Sequence, residues 1–497
     1  MRIRSLRLHL LCVTLLCSGP WHVVAQDVSG SRLFGANKIV TLELTMSEKE
    51  FQGLQPASSF GFGPPGFGGT GFGPPGGGPP GPDREPESGS TSDTHKNTFG
   101  VEFPWARATL KADDVTLTDI GIRYKGNFTY MASAVDVKKS FKLDINRFVE
   151  DQKLDGMTML NLHSGVSDPS LTRETFSYTF FRDSSVPAPR TVFAELTLTV
   201  PGKHDSELVG VYTLTEQVNK TFLKQHFGDG TGMLLKPEGL QGGPKYLGDD
   251  WKAYEDKFRP DGKVSADQKK RLIQFTKLLS EASDEDFAAG IDSFLDVDAF
   301  LRFIATNALL SNLDSYLGFG HNYYLYLVPS SNKFVFIPWD MDLSLATWPA
   351  VGTPEQLVEL SIHHPHAGDD ILIDRLFAHP ETKERYLGIV RELCSTTFAK
   401  EKLNARLDEI EEQLKEPMAR EAAVDKARSA DRPGNGPGFG FGGGQFGQSL
   451  SSRQFIAIRT ESVAAQLAGT KEGFVPKPFA FGFGGPGPAP LGGPRPR

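Results

Sequence analysis

Apolar and polar residues alternate at Val40, Leu42, Leu44 and Met46, the two-residue period of a half-buried strand. The period returns at Ile120, Ile122 and Tyr124 against Gly121, Arg123 and Lys125, predicting a strand with one apolar and one basic face. Phe141, Leu143 and Ile145 repeat it against Ser140, Lys142 and Asp144. Residues 170–183 suit a helix. Val192, Ala194, Leu196 and Leu198 form a further strand, Pro201-Gly202 opens a turn, and Leu208 to Val218 returns as its partner. Gly232 to Lys236 fits one more strand. From there the spacing turns helical, first at Leu272, Phe275 and Leu279. Val297, Phe300, Leu301, Ile304 and Ala308 follow behind Asp296 as N-cap. A loop from Asn312 to Asn322 leads into a hairpin pattern, Tyr323 to Val328 and Phe334 to Ile337. Helical patterns resume at 370–395, 402–430 and 450–467. Sheet first and helix second is an α+β arrangement.

Two kinds of segment fall outside this pattern. Residues 59–82 are almost entirely Gly, Pro and Phe, and 83–97 continue as a polar, charged stretch. With few aliphatic side chains to bury, such a segment cannot offset its backbone entropy. Similar Phe/Gly tracts stand at 433–448 and 474–497. The expected organisation is therefore a signal peptide at 1–25, an N-terminal strand segment at 26–58 and a disordered linker at 59–97. A core at 98–432, a Gly/Phe-rich loop at 433–448, a C-terminal core helix at 449–468 and a disordered tail at 469–497 complete it. The excess of Gly (53) and Pro (34), and the low 39% hydrophobic content, belong to the tracts rather than to the core.

The first 25 residues have the anatomy of an export signal. Arg2, Arg4 and Arg7 precede an apolar run from Leu8 to Cys17, and Val23-Val24-Ala25 offers a small residue for cleavage. That run is shorter than the roughly 20 residues a membrane-spanning helix needs. Leu16 before Cys17 argues against a lipid anchor. The expected location is secreted, periplasmic or cell-surface, with no stable membrane insertion once the signal is cleaved near Ala25. Of three cysteines, only Cys394 lies outside the signal, so the mature chain has no internal disulfide. A formal charge of −8 argues against a nucleic-acid partner held by a basic surface. Asn127-Phe128-Thr129 and Asn219-Lys220-Thr221 match the glycosylation triplet, a short and common pattern.

The chemistry concentrates in residues 312–342, NLDSYLGFGHNYYLYLVPSSNKFVFIPWDMD. Helix, loop with Asp314 and Asn322, hairpin, then Asp340 and Asp342: this order resembles the catalytic segment of a protein kinase. A hairpin folding back on itself can join Asn322 and Asp340 despite their separation, and magnesium wants only a few hard oxygen ligands beside phosphates.

Three further segments, with this one, carry a resemblance to a family. Arg123-Tyr124-Lys125-Gly126-Asn127, Lys138-Lys139-Ser140-Phe141-Lys142-Leu143 and Gly210-Val211-Tyr212 through Glu216 come first in the chain. Asn312-x-Asp314 through His321-Asn322-Tyr323 and Trp339-Asp340-x-Asp342 follow in the same order as in the spore-coat protein H (CotH) kinase family, which the chain resembles over about 98–400. The resemblance implies an atypical, two-lobed kinase-like fold and an exported Ser/Thr protein kinase. Such an enzyme transfers the γ-phosphoryl group of ATP, with Mg²⁺ or Mn²⁺, to a protein hydroxyl on a substrate or on the chain itself. Carried over by position, Asp314 is the catalytic aspartate, and Asp340, Asn322 and Asp342 hold the metal. Lys142 or Lys139 contacts nucleotide phosphates, and Glu216 and Lys236 are further candidates for the nucleotide cleft. Lys142 is favoured because it shares the polar strand face with Ser140.

The sequence departs from ordinary kinases in two respects. Asp314 and Asn322 are eight residues apart rather than five, and no G-x-G-x-x-G loop covers the phosphates. Basic strand faces, with Arg123 and Lys125, must serve instead. His363, His364 and His366 suggest a metal cluster, but no cysteine or matching carboxylate spacing supports structural zinc, so they read as loop histidines. ATP is scarce outside the cytoplasm, so the competing expectation is a catalytically inactive kinase-like surface or matrix binding protein. A glycosyl- or nucleotidyl-transferase using the Asp340-x-Asp342 triplet would leave Asp314 without a role.

Overall fold

The alternating segments of the first half become the staves of a barrel. The computed structural model describes residues 28–35, 38–56, 94–96, 101–133, 137–237, 243–255, 257–430 and 449–478. The segment 1–25 expected to be an export signal, most of the expected linker, the 433–448 tract and the end of the tail lie outside the described residues. In chain order the strands are β1 (Ile39–Thr45), β2 (Thr94–Lys96), β3 (Glu102–Pro104), β4 (Ala106–Ala112), β5 (Val115–Tyr124), β6 (Phe141–Asp144) and β7 (Met159–His163). They continue with β8 (Thr191–Val200), β9 (His204–Glu216), β10 (Met233–Pro237), β11 (Phe258–Pro260), β12 (Tyr323–Val328) and β13 (Lys333–Pro338). Seven of them close in the order β1-β4-β5-β6-β7-β9-β8. The seam is the parallel pairing of β1 with β8, which sets Val40 beside Ala194 and Leu42 beside Leu196. Closure removes the exposed edges that an open sheet would present. Alternation predicts strands but says nothing of closure. It also passes over β4, whose inward residues are mostly alanine, and the short β7.

Inward residues such as Leu42, Ile122, Leu143, Leu162, Leu196 and Leu214 are all buried in the barrel core. The outward residues of β5, β6 and β7 fall into rows: Arg123 pairs with Lys142, and Lys142 with Asn161. This polar face is turned toward the second half of the molecule.

The second half packs helices around a smaller sheet ordered β11-β10-β12-β13. Its core joins the helices Thr172–Asp183, Ala266–Glu281, Val297–Leu309, Ile371–Ala378, Pro380–Ser395 and Ser452–Leu467 through one large apolar cluster. Asp296 caps the helix Val297–Leu309, its carboxylate taking the Ala299 N–H at 3.1 Å. The pattern at 370–395 divides at His379, because Pro380 has no N–H to continue a helix and instead starts the next. Asn219 of the second glycosylation triplet caps the helix Lys220–Phe227 and is buried. Among the described residues no helix is long and apolar enough to cross a membrane.

Two expected boundaries move. The stretch read as linker to residue 97 ends in β2, which pairs with β3 through His95 and Phe103. The tail expected to be disordered from 469 stays in place as far as 478. There Phe474 packs on the helical core, donates its N–H to Glu359 O (2.6 Å) and accepts from Ser361 N–H (2.7 Å).

Candidate active site

The β12–β13 hairpin carries out the juxtaposition its sequence suggests. Tyr323 pairs with Pro338, and one step further the Trp339 N–H donates to Asn322 O at 3.1 Å. Asn322 and Asp340 therefore flank the same end of the hairpin. Both adopt positive φ, 54° and 58°, a region that Asn and Asp tolerate better than other side chains and that is often found at functional sites. The Asp340 N–H is fixed by the Tyr178 hydroxyl at 2.9 Å, from the helix Thr172–Asp183.

Asp314 sits just before a one-turn helix, Tyr316–Phe319, whose N-cap is Ser315. Its carbonyl accepts from Asn322 Nδ2 at 2.9 Å, which leaves the Asn322 Oδ1 as the atom able to ligate a cation. The carboxylate Oδ1 of Asp314 lies 2.8 Å from His321 Nε2. His321 Nδ1 is buried without a hydrogen-bond partner among the described residues, so the neutral ring with its proton on Nε2 fits best. His321 thus orients Asp314 while leaving its second oxygen open.

Asp314, Asp340 and Asp342 act on one another electrostatically. Burial, reinforced by Asp314 and Glu174, pushes the Asp340 carboxyl up against the opposing pull of His163 and Lys125. Burial also pushes Asp342 well above the carboxylate range, with Asp340, Glu174 and Asp314 adding to it and Arg173 opposing. Among the described residues no side chain donates a hydrogen bond to the carboxylate of Asp340 or Asp342. The helix Thr172–Asp183 ties the same segment down: Arg173 Nε donates to the Asp342 carbonyl at 2.7 Å. Recessed carboxylates that, among the described residues, accept no side-chain hydrogen bond from a cation form a donor set of the hard-oxygen kind that suits Mg²⁺ or Mn²⁺.

On the barrel side, Lys125 Nζ stands 2.6 Å from His163 Nε2 and 3.2 Å from Asn161 Oδ1. His163 Nδ1 is 2.8 Å from Glu174 Oε1, which also accepts from the Thr215 hydroxyl at 3.2 Å. Lys125 further lies 5.5 Å from the centre of the Trp339 ring, directly preceding Asp340. A lysine–histidine–glutamate chain thus runs along the wall facing the acidic group. His163 and Glu174 are absent from the sequence reading. The alternation of Leu160 and Leu162 places His163 on the face of Lys125, but nothing in the helical pattern at 170–183 singles out Glu174.

The remaining predicted residues separate. Lys142 and Arg123 are buried on the outward polar row, where both act on Asp144. Lys139 has the opposite strand parity. Its ammonium donates to Ser133 O at 2.8 Å and it lines a cavity of about 140 Å³ at the barrel mouth with Tyr124, Phe141 and Leu198. That cavity is distinct from the acidic cleft. Glu216 is fully buried in a bidentate pair with Arg190, at 2.7 and 2.9 Å. Lys236 is adjacent to Leu235, which pairs with Leu325, and shares its sheet face with Leu234 and Tyr324 by alternation. His364 and His366 face one another with ring centres 4.1 Å apart, and burial holds both below the usual histidine range.

The family model described as CotH kinase protein matches residues 122–454, well over half of the chain. The chain belongs to the CotH kinase family. It is 24% identical over 326 residues to the inner spore coat protein H of Bacillus subtilis (strain 168), covering 62% of this chain and 80% of that protein. For this CotH family member the match takes in the barrel face, the acidic loop and the hairpin together. It also covers Gly210, whose position beside Glu421 is structural rather than part of the cleft.

Proposed function

We propose that this CotH family member is an exported, atypical Ser/Thr protein kinase with a two-lobed, kinase-like arrangement. The observation that carries the reading is the convergence of Asp314, Asn322 and Asp340 at one hairpin end, opposite Lys125. Asp340, Asp342 and the Asn322 Oδ1 are the residues that would hold Mg²⁺ or Mn²⁺. A cation held there would supply positive charge to neutralise phosphate oxygens. Lys125 would neutralise the nucleotide phosphates in place of a glycine-rich loop. Glu174 sets the position of Lys125 through His163, much as a lysine–glutamate pair must be in place in ordinary kinases. Asp314, held by His321, orients the acceptor hydroxyl and takes its proton as the oxygen attacks the γ-phosphorus of ATP, with ADP leaving. General base assistance of this kind contributes about 10²–10⁴-fold. The name of the Bacillus relative supports a surface or coat setting, consistent with the export signal expected at 1–25. The acceptor is a protein hydroxyl, on another chain or on this one.

The test is incubation of the full chain with γ-labelled ATP and Mg²⁺ or Mn²⁺, with nucleotide affinity measured separately. Asp314→Asn should lose phosphate incorporation by at least about 100-fold while keeping nucleotide affinity. Asp340→Ala should lose metal-dependent nucleotide binding as well. Undiminished incorporation by Asp314→Asn would remove the role assigned to it, and a wild-type chain that binds ATP without transferring phosphate would favour the inactive binding protein instead.

A further inference from the structure

A second side-chain cluster lies behind the catalytic loop, on residues 361–374. His366 is about 1% exposed, and its Nδ1 is 2.9 Å from Gly368 O, an acceptor only, so Nδ1 carries the proton. Its Nε2 faces Asp374 Oδ1 at 3.2 Å. In a neutral ring these are two lone pairs pointing at each other. Either a second proton or a cation must stand between them. His364 decides between the two. Its ring lies 4.1 Å from that of His366, and among the described residues neither of its nitrogens is hydrogen-bonded. An imidazolium at His366 would leave that neighbour without a function, whereas a cation would use it.

We infer that His364, His366 and Asp374 form a second metal site, for a divalent cation of the zinc class, which staples loop 361–370 to the first turn of the helix Ile371–Ala378. Two imidazoles and one carboxylate, with a water in the fourth position, suit zinc better than the magnesium expected at the all-oxygen group. One ligand atom from each residue already lies within 4.8 Å of the others. Tetrahedral zinc with bonds near 2.0–2.1 Å wants its ligands about 3.3 Å apart. The His366–Asp374 pair has that spacing, and His364 needs only a side-chain rotation. The Nδ1–H to Gly368 is the usual outer support of a metal-bound imidazole. Asp374 is supported too: its Oδ2 accepts the Asp370 N–H at 2.9 Å. The carboxylate is contributed by the following helix, which is why spacing among the histidines alone does not disclose it.

The location gives the site a consequence. The Ala367 N–H donates to Leu317 O at 2.8 Å, and the Tyr316 hydroxyl donates to Asp370 Oδ1 at 3.0 Å. Leu317 and Tyr316 belong to the one-turn helix immediately after Asp314. A cation at His364, His366 and Asp374 would therefore tighten the loop from behind, without touching substrate. The inference does not depend on phosphoryl transfer.

The experiment is metal analysis and zinc titration of the full chain, purified without chelator and kept in excess Mg²⁺ so that the all-oxygen group is occupied. The wild type should hold about one zinc per chain, and Asp340→Ala should hold the same. His364→Gln and Asp374→Asn should each weaken zinc binding by at least about 100-fold. Asparagine keeps an acceptor for the Asp370 N–H, so folding is preserved. X-ray absorption on the cobalt-loaded wild type needs no variant and should show two imidazoles on the metal. A wild type that binds zinc no more tightly than His364→Gln would overturn the inference. So would nitrogen-15 spectra showing protons on both His366 nitrogens with equimolar zinc present, the signature of a plain ion pair with Asp374.

Discussion

Asp340 and Asp342 oppose folding at neutral pH whenever no cation is bound. Their carboxyls are raised in the folded chain, chiefly by burial, so between the unfolded value near 4 and the raised folded value the native state holds more protons than the unfolded one. For these groups stability is present at acid pH and is lost as pH rises through the folded values. Mg²⁺ bound there, as proposed, would offset that loss with its added positive charge, and its affinity would fall as acidification protonates the same oxygens. Asp342→Asn should therefore raise the melting temperature of the metal-free protein by a few degrees at neutral pH, flatten the difference from wild type at acid pH, and reduce the rise that Mg²⁺ produces. Thermal melts of both chains from pH 4 to 8, with and without Mg²⁺, measure all three. A variant that melts below wild type at neutral pH in the absence of metal would contradict the assignment. Asp314, Asn322 and Asp340 were legible because one hairpin joins them. Glu174 and His163 were not, because their meeting depends on how a helix lies across the barrel face.

The long helix Lys400–Ala430 shows what a motif conceals when its partner is distant in sequence. The pairing of β8 with β9 skips a residue: Leu196 faces Gly210 and Thr197 faces Leu208, leaving Val209 as the extra residue of a bulge. The Val211 N–H, released from the ladder, is taken by Glu421 Oε2 at 2.7 Å, and Lys138 binds the other oxygen at 2.6 Å. Gly210 has φ of 150°, and a Cβ there would stand 2.9 Å from the Glu421 carboxylate. The glycine is thus required by the bulge and by the helix pressed on it. Arg420 and Arg428 add ion pairs to Glu195 and Glu207 on the same two strands. Glu421→Ala leaves a buried N–H and a half-buried ammonium unpaired, and should cost about 2–3 kcal/mol in urea unfolding. Gly210→Ala should cost about 1–3 kcal/mol, and the double variant less than the sum, because both disrupt the same contact. Strict additivity would argue that the two residues act separately. Most of the longer strands and helices could be read from periodicity, since each is a local pattern, whereas β2, β3, β4, β7 and β11 could not. The seam between β1 and β8 and the placement of this helix could not, being pairings between segments more than a hundred residues apart.

At the scale of the whole molecule, the candidate site requires that the two halves hold a fixed relation. From the helix Thr172–Asp183, Tyr178 holds the Asp340 N–H and Arg173 the Asp342 carbonyl, and Lys125 over Trp339 crosses from the barrel to the hairpin. They work only if the loop bearing Asp314 is itself anchored. That loop leaves the end of the helix Val297–Leu309, where the following turn already supplies the Ser311 N–H to Ala308 O but the Leu309 carbonyl needs a further donor. Arg459, from the helix Ser452–Leu467 beyond the second Phe/Gly tract, is fully buried there. It donates to Ala308 O, Leu309 O, Val358 O and Leu360 O, at 2.7, 3.3, 3.2 and 2.6 Å. Burial lowers its guanidinium to about 10, which still leaves it charged at neutral pH and attracted to the negative end of the helix. The last core helix therefore secures the segment from which the catalytic loop departs. Arg459→Met keeps the volume but leaves Leu309 O and Val358 O without a donor among the described residues and takes one of two donors from Ala308 O and Leu360 O, and should cost about 3–5 kcal/mol. Arg459→Lys should rescue little of it, because a single ammonium cannot reproduce a planar fork that reaches carbonyls from two separate segments. Urea unfolding of the three chains checks the order. A lysine variant as stable as wild type would show that charge at the helix end, rather than the geometry of the fork, is what the fold requires.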